Sequence, residues 1–341
     1  MKIGYYLNLA AKNSSLRIRY MNILKQLPSD KFEIYDSNNN AQYTIVLFGK
    51  TFSDIDIKKA KQLKAEGKSI YFDLCDNYFY NPHNLQEYKK YANNIKTMLL
   101  LADKVILSSE KLKFYVVSQT PEIMNKTIII EDTYETELIK NRNLIHEFRS
   151  KMELLRYRYF LQKNHLNIFW FGNASSKNAT AGMLDLLRAQ AVLEKFSNQY
   201  KVHLTVMSNN AALYNQHIKG LDLATTYLAW NSNIFIDILT MQDAVLIPIT
   251  PNPFTECKTN NRLIQTLIHG VDVIADIIPS YQEFSECCFL NDWLAGLTEV
   301  AKAKRNNKTK QERLMAAREI IEKKYHINTI AKKWQDAFED N

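Results

Sequence analysis

Residues 244–277 read AVLIPITPNPFTECKTNNRLIQTLIHGVDVIADI. The run opens on AVLIPI (244–249), short and almost wholly apolar, as a strand covered on both faces of a parallel sheet must be. Asn252 and Pro253 break the chain, and a helical pattern follows over 258–269. Gly270 ends that helix in the manner of a C-terminal cap. VDVIADI (271–277) is a second strand. Strand, helix, strand is the parallel β/α unit, and it sets the fold class as α/β.

The helix carries a polar stripe. At about 100° per residue, Lys258, Asn261, Arg262, Gln265 and His269 fall within one arc of roughly 100°. Leu263, Ile264, Leu267 and Ile268 take the other side. The stripe begins at the N-terminal end, where free N–H groups and the helix dipole favour an anion. Lys258 supplies a point charge and Arg262 a bidentate fork, which together suit a diphosphate. The plainer reading is an amphipathic helix with a solvated face.

The same alternation runs through the rest of the chain. Strands are predicted at 2–9, 32–36, 44–49, 69–75, 104–109 and 127–132, with helices near 15–27, 55–66, 84–101 and 110–118. The stretch 134–163 is highly charged and reads as exposed helix. Strands then resume at 167–173, 202–208 and 225–230, before the opening unit, and the chain from about Leu290 is helical and basic. The predicted organisation is an N-terminal Rossmann-like domain (1–133), a helical linker (134–165), a second Rossmann-like domain (166–324) and a C-terminal helix (325–341) that packs back on the first domain. Two such domains facing across a cleft would place ligands beyond the C-terminal ends of their strands.

Composition agrees with a globular, two-domain chain: 341 residues, 46% hydrophobic and 23% charged. The formal net charge of +8 suits an anionic partner, whether phosphate ligand, nucleic acid or membrane surface. Cys75, Cys257, Cys287 and Cys288 show neither metal nor disulfide spacing, which fits a reduced, cytoplasmic setting. No window is apolar for the roughly 20 residues a membrane span needs.

The C-terminal half resembles the donor domain of a GT-B glycosyltransferase, near the large retaining, family 4-like group that includes bacterial polysaccharide transferases. The matching run is DAVLIPI, a loop, then KTNNRLIQTLIHGVDVIADIIPSYQEF; WFGN (170–173) and YLAWN (227–231) fit earlier pieces of that domain. SLRIRYMNIL (15–24), FDLCDNYFY (72–80) and ADKVILSS (102–109) have family-like placement in the first half. Gln265 stands where many relatives carry a ribose-binding Glu, and the usual Pro after Gly270 is absent.

The resemblance implies transfer of a sugar from a nucleotide diphosphate sugar to a hydroxyl of a glycan or lipid-linked glycan, with retention of configuration. It assigns the donor diphosphate to Lys258, Arg262, Gly172 and Asn173, and the nucleotide or ribose to Asn261, Gln265, Trp230 and Asn231. Asp76 and Asp73, at the end of SIYFDLC, are the candidate acid–base pair, with Asp76 favoured and Asp73 expected to cap the following turn. Arg17 and Arg19 are candidates for an acceptor or phosphate.

No H-E-x-x-H or C-x-x-C pattern occurs, so no cofactor is expected and the chemistry is read as metal-independent, with Lys, Arg and a helix N-terminus steadying the leaving diphosphate. Peripheral contact with an anionic membrane, at its inner face, is assigned to the basic stretch 302–333. Two rivals remain: a phage-type DNA glycosyltransferase, with nucleic acid ranked behind a glycan as partner, and a non-catalytic protein that keeps a GT-B shell.

Overall fold

The computed structural model describes residues 2–10, 14–135, 138, 140, 142–161, 165–176, 179–304 and 308–339. They form two six-stranded, all-parallel sheets in two units. One unit comprises Met1–Tyr134, Glu256–Asn261 and Glu322–Asn341; the other comprises Glu135–Thr255 and Arg262–Ile321.

The first unit holds β1 (Ile3–Leu7), β2 (Phe32–Ile34), β3 (Ile45–Gly49), β4 (Ser69–Leu74), β5 (Lys104–Leu107) and β6 (Thr127–Ile129), in the order β2-β1-β3-β4-β5-β6. Its central strands are apolar at successive residues because both faces are covered. Val46, Phe48, Ile70 and Phe72 pack with Ala60, Leu63, Ile95, Met98 and Leu112 on one side. Ile45, Leu47 and Tyr71 pack with Ile330, Trp334 and Phe338 on the other. The last three come from the C-terminal helix Ile327–Glu339. Phe338 is fully buried and stacks on Tyr71 with ring centroids 5.2 Å apart. Burying a side chain of that size contributes about 1.5–3 kcal/mol.

The helix expected over 15–27 is shorter and begins as a π-type stretch, Leu16–Met21, running on through Asn22–Leu24. Three consecutive residues, Ile18, Arg19 and Tyr20, are buried there. A regular amphipathic α-helix at a surface does not bury three in a row. The cause is Arg19, which is drawn inward by buried carboxylates described below.

The second unit holds β7 (Leu166–Phe171), β8 (Val202–Ser208), β9 (Ala224–Ala229), β10 (Ala244–Ile247), β11 (Asp272–Ala275) and β12 (Phe289–Leu290). Their order, β12-β11-β10-β7-β8-β9, reverses direction between β7 and β10. That is the doubly wound order, in which ligands bind beyond the strand ends at the reversal point. Two-residue β12 was not anticipated, being too short to show a period. The charged stretch after 134 forms the helix Leu144–Phe160, which belongs to this second unit. All four cysteines are buried, and none is in a disulfide among the described residues. Among the described residues no helix is long and apolar enough to cross a membrane.

Candidate functional site

In the second unit, β7 ends at Phe171 and the chain turns at Gly172, beside β10 at the reversal point. Gly172 has φ +154°, a conformation that disfavours a side chain. Its N–H is bonded to the Met207 carbonyl at 3.2 Å, and its carbonyl accepts from the Ser208 hydroxyl at 2.9 Å. What Gly172 offers a ligand is therefore the space left by a missing side chain. A Cβ built there would lie 3.6 Å from Nη1 of Arg262 and 3.5 Å from the Trp170 ring. The Arg262 guanidinium also sits 5.9 Å from the Trp170 ring centroid, held by a cation–π contact. Sequence-distant Gly172 and Arg262 thus meet at one place. Asn173 follows Gly172 and is exposed.

The loop after β10 is tied down by side-chain hydrogen bonds. Asp185 accepts from the Thr250 hydroxyl at 2.5 Å and from the Gly182 N–H at 2.9 Å. Asn252 Oδ1 accepts from the N–H groups of Phe254 and Thr255, both at 3.0 Å. These bonds fix the loop after β10.

Arg262 lies in the first turn of the helix Asn261–Ile268. The helix expected over 258–269 starts three residues late, and Lys258 is not on it. Residues Glu256–Asn261 pack within the first unit instead. Thr259 Oγ1 and Asn261 Nδ2 both donate to Oδ2 of Asp132, at 2.9 and 2.7 Å. Those bonds hold the segment out of helical geometry. Asn261, assigned above to the nucleotide, thus has its amide nitrogen engaged, while its buried Oδ1 has no partner among the described residues.

Gln265 is also occupied. Its Nε2 donates to the Glu135 carbonyl at 2.8 Å, while its Oε1 accepts from the Glu135 N–H at 2.9 Å. Both ends of the buried amide close a bridge to one backbone residue, so the expected ribose contact has no free group to make it. Asn231 is likewise engaged, with Ser150 at 3.0 Å and Glu153 at 3.2 Å. Trp230 is 40% exposed and rests on Phe235 with centroids 4.9 Å apart. It lies past the end of β9, two strands from β7, or about 10 Å across the sheet.

In the first unit, the strand ends carry a layered charge network. Arg19 is 1% exposed and Asp73 is fully buried. The guanidinium meets Asp73 through Nε at 3.1 Å and Nη2 at 2.6 Å, and Asp132 through Nη1 at 2.6 Å. The Tyr20 hydroxyl donates to the same Asp73 carboxylate. Burial disfavours the charged guanidinium, but Asp73 and Asp132 outweigh it and hold Arg19 protonated. Asp73 neither caps a turn nor faces an acceptor; it anchors Arg19 in the core. Arg19 in turn has no surface to offer a phosphate. Arg17, two residues earlier, is half-buried.

Asp76 sits above that layer. Its two oxygens are each 2.5 Å from an ammonium, Lys50 Nζ on one and Lys258 Nζ on the other. Burial alone would raise its pKa, but Lys258 and Lys50 hold it well below the usual carboxylate range. A carboxylate so stabilised is a poor proton acceptor near neutral pH. The acid–base role assigned to it has no support in this geometry. Lys50 escaped the sequence reading. It follows β3 directly, in the left-handed region at φ +56°, and its position just past a strand end was the available signal.

No family model matches the sequence, and no curated protein matches it. Solved structures do resemble it. HepE from Anabaena in complex with UDP aligns with a TM-score of 0.70 at 12% identity, over 100% of both chains. A UDP-forming α,α-trehalose-phosphate synthase from Burkholderia xenovorans aligns at 0.55 and 10% identity, over 95% of this chain and 83% of that one. TarM aligns at 0.57 and 14% identity, over 86% and 54%. The fold is the GT-B fold, two Rossmann-like units, as the sequence motifs implied.

Proposed function

We propose that the chain is a nucleotide-sugar-dependent glycosyltransferase that moves a sugar onto a hydroxyl of a glycan or lipid-linked glycan. The observation that carries this reading is the meeting of Gly172 and Arg262 at the β7–β10 reversal point. That is where a doubly wound sheet takes a phosphate-bearing ligand, and the Arg262 fork fits a diphosphate. HepE, of the same fold, is known with UDP, with UDP and glucose, and with UDP-glucose, so a uridine nucleotide is the first donor to test.

Retention of configuration is our finer reading, and the engagement of the first unit's carboxylates supports it. Inversion by direct displacement uses a base to take the acceptor proton. Asp73 is locked to Arg19, Asp132 to Arg19 and Thr259, and Asp76 to two lysines, while Glu131 is 2.6 Å from Lys333. In that reading the leaving diphosphate itself serves as the base. The bond from the anomeric carbon to phosphate oxygen breaks, the bond to the acceptor oxygen forms on the same face, and the acceptor proton passes to the diphosphate. Arg262 neutralises the charge that develops there.

The test is calorimetric titration with UDP, followed by a release assay with UDP-glucose and NMR of the product anomer. Micromolar UDP binding abolished in Arg262→Ala supports the reading. Absence of binding by any nucleoside diphosphate or nucleotide sugar in a panel sinks it.

A further inference from the structure

The helix Leu144–Phe160 is inside out. Its buried residues are Ser150 and Tyr157, with His146, Glu147, Glu153 and Leu154 half-covered. Its exposed residues include Ile145 (65%), Phe148 (66%), Leu155 (56%) and Tyr159 (86%). An ordinary surface helix turns its apolar stripe inward. Here Ile145, Phe148, Met152, Leu155 and Tyr159 recur at steps of three and four residues, forming a continuous apolar seam that faces away from Ser150 and Tyr157.

Charge decides what covers that seam. With Ile145 at position a of a heptad, Phe148 and Leu155 fall at d and Met152 and Tyr159 at a. The flanking e positions are then Arg149 and Arg156, and the g positions are Lys151 and Arg158, all exposed. A second copy of this helix would bring cation against cation along both flanks, which opposes self-pairing. An apolar stripe edged by cations fits the surface of an anionic lipid leaflet, where apolar residues sink below the headgroups and cationic side chains reach back to the phosphates. Beside the seam is an open groove of about 600 Å³ between this helix and β9, with Phe148, Met152, Phe160 and Leu228 supplying apolar walls and Arg149 and Arg156 set two turns apart along it; Glu153 also lines it, its carboxylate accepting from Asn231 at 3.2 Å. A headgroup phosphate with its adjoining acyl chain matches that lining.

The basic stretch 302–333, expected to make this contact, is less suited to it. Lys302 pairs with Glu299, Lys304 with Asp243, Arg313 and Lys310 with Asp272, Lys332 with Asp336 and Lys333 with Glu131. Arg305 lies outside the described residues.

We propose that the helix Leu144–Phe160 docks the protein on an anionic membrane surface, its apolar seam in the headgroup layer and its flanking cations Arg149, Lys151 and Arg156 on lipid phosphates, Arg158 lying 3.8 Å from Asp237. This does not depend on the donor assignment.

Vesicle sedimentation of the full chain tests it, with phosphatidylcholine alone and with about one-third phosphatidylglycerol, at low salt. The parent is expected to pellet with the anionic vesicles and stay in the supernatant with the neutral ones. Phe148→Glu with Leu155→Glu is expected to lose at least about tenfold in partitioning, with an unchanged melting temperature because both side chains are more than half exposed. Arg149→Gln with Arg156→Gln is expected to lose about tenfold, and Lys323→Gln with Lys324→Gln to pellet like the parent. The proposal is overturned if the parent ignores anionic vesicles, if the Glu variant pellets as well as the parent, or if the Lys323/Lys324 variant alone abolishes pelleting. It is also overturned if light scattering shows a parental dimer that the Glu variant converts to monomer, since a second copy would then cover the seam.

Discussion

The Asp76 carboxylate is 2.5 Å from the Lys258 ammonium, although the two residues are 182 positions apart in the chain. Lys50 closes on the other oxygen at the same distance. This triad ties the loop after β4, the end of β3 and the segment Glu256–Asn261 into the first unit. It also separates two roles for Asp76 that experiment can distinguish, because an anchor and a base fail differently when the charge is removed.

Asp76→Asn keeps the shape and removes the charge. As an anchor, it should cost about 1–2 kcal/mol, a figure kept low because the Lys258 side chain is 40% exposed. A thermal melt should show a fall of several degrees, larger at low salt. The rate of transfer should drop no more than a few-fold. A rate loss of a hundredfold or more with an unchanged melting point would restore the base assignment. The pH profile has a definite sign. The folded-state pKa of Asp76 is depressed, since the effect of burial is outweighed by Lys258 and Lys50. Its contribution is therefore present above the ordinary carboxylate value and is lost as pH falls below about 3.9. The Asn variant should lack that part of the acid dependence.

Arg262→Ala should weaken UDP binding by roughly tenfold or more, since a charged hydrogen bond to phosphate is worth about 1.5–3 kcal/mol. The melting point without ligand should move little, because the half-buried guanidinium lies against Trp170 and, among the described residues, no carboxylate loses a partner. Calorimetry on parent and variant checks both numbers. Arg262→Lys should recover only part of the affinity, because an ammonium lacks the fork.

The strands and the two-unit α/β class were legible in the chain, because strands covered on both faces must be apolar at every residue. IVLFG and SIYFDL satisfy that directly. The pairings were not legible. Arg19 and Asp73 are 54 residues apart, and nothing local says that a charged side chain in a helical pattern turns inward. Strand-end position drew attention to Gly172, Asp73 and Asp76, yet it could not say whether a carboxylate there meets solvent or a buried cation. The same limit applied to the polar stripe at 258–269. Its spacing is helical, but the carboxylates that claim Lys258, Thr259 and Asn261 come from the first ~130 residues, and they delay the start of the helix.

Two glycines with positive φ should respond differently to alanine. At Gly182 (φ +113°) a Cβ would lie 2.5 Å from the Ala174 carbonyl oxygen, so the backbone must shift and the fold should lose about 2 kcal/mol or more. At Gly172 the nearest neighbours are 3.5–3.6 Å away, and the cost is one of backbone conformation, about 1 kcal/mol. Gly172→Ala should nonetheless impair UDP binding, because the new methyl occupies the space in front of Arg262. Melting curves and titrations of the two variants should thus rank in opposite order. Equal UDP affinity in Gly172→Ala and parent would remove the phosphate from that turn.

Gln265→Glu restores the residue that many proteins of similar sequence pattern use on the ribose, and its outcome separates pattern from geometry. In the structure the amide nitrogen donates to the Glu135 carbonyl and the amide oxygen accepts from the Glu135 N–H. A carboxylate can keep the second bond but not the first, since it has no proton to give. Two acceptors would then face each other in a site where residue 265 is only 9% exposed. An unsatisfied buried carbonyl costs about 1–3 kcal/mol, and a buried charge adds to that. The variant should therefore melt several degrees lower, with the loss growing as pH rises and the new carboxyl ionises. Its affinity for UDP should be no higher than the parent's. A stable variant that binds UDP tenfold more tightly would show that residue 265 leaves Glu135 to meet the nucleotide.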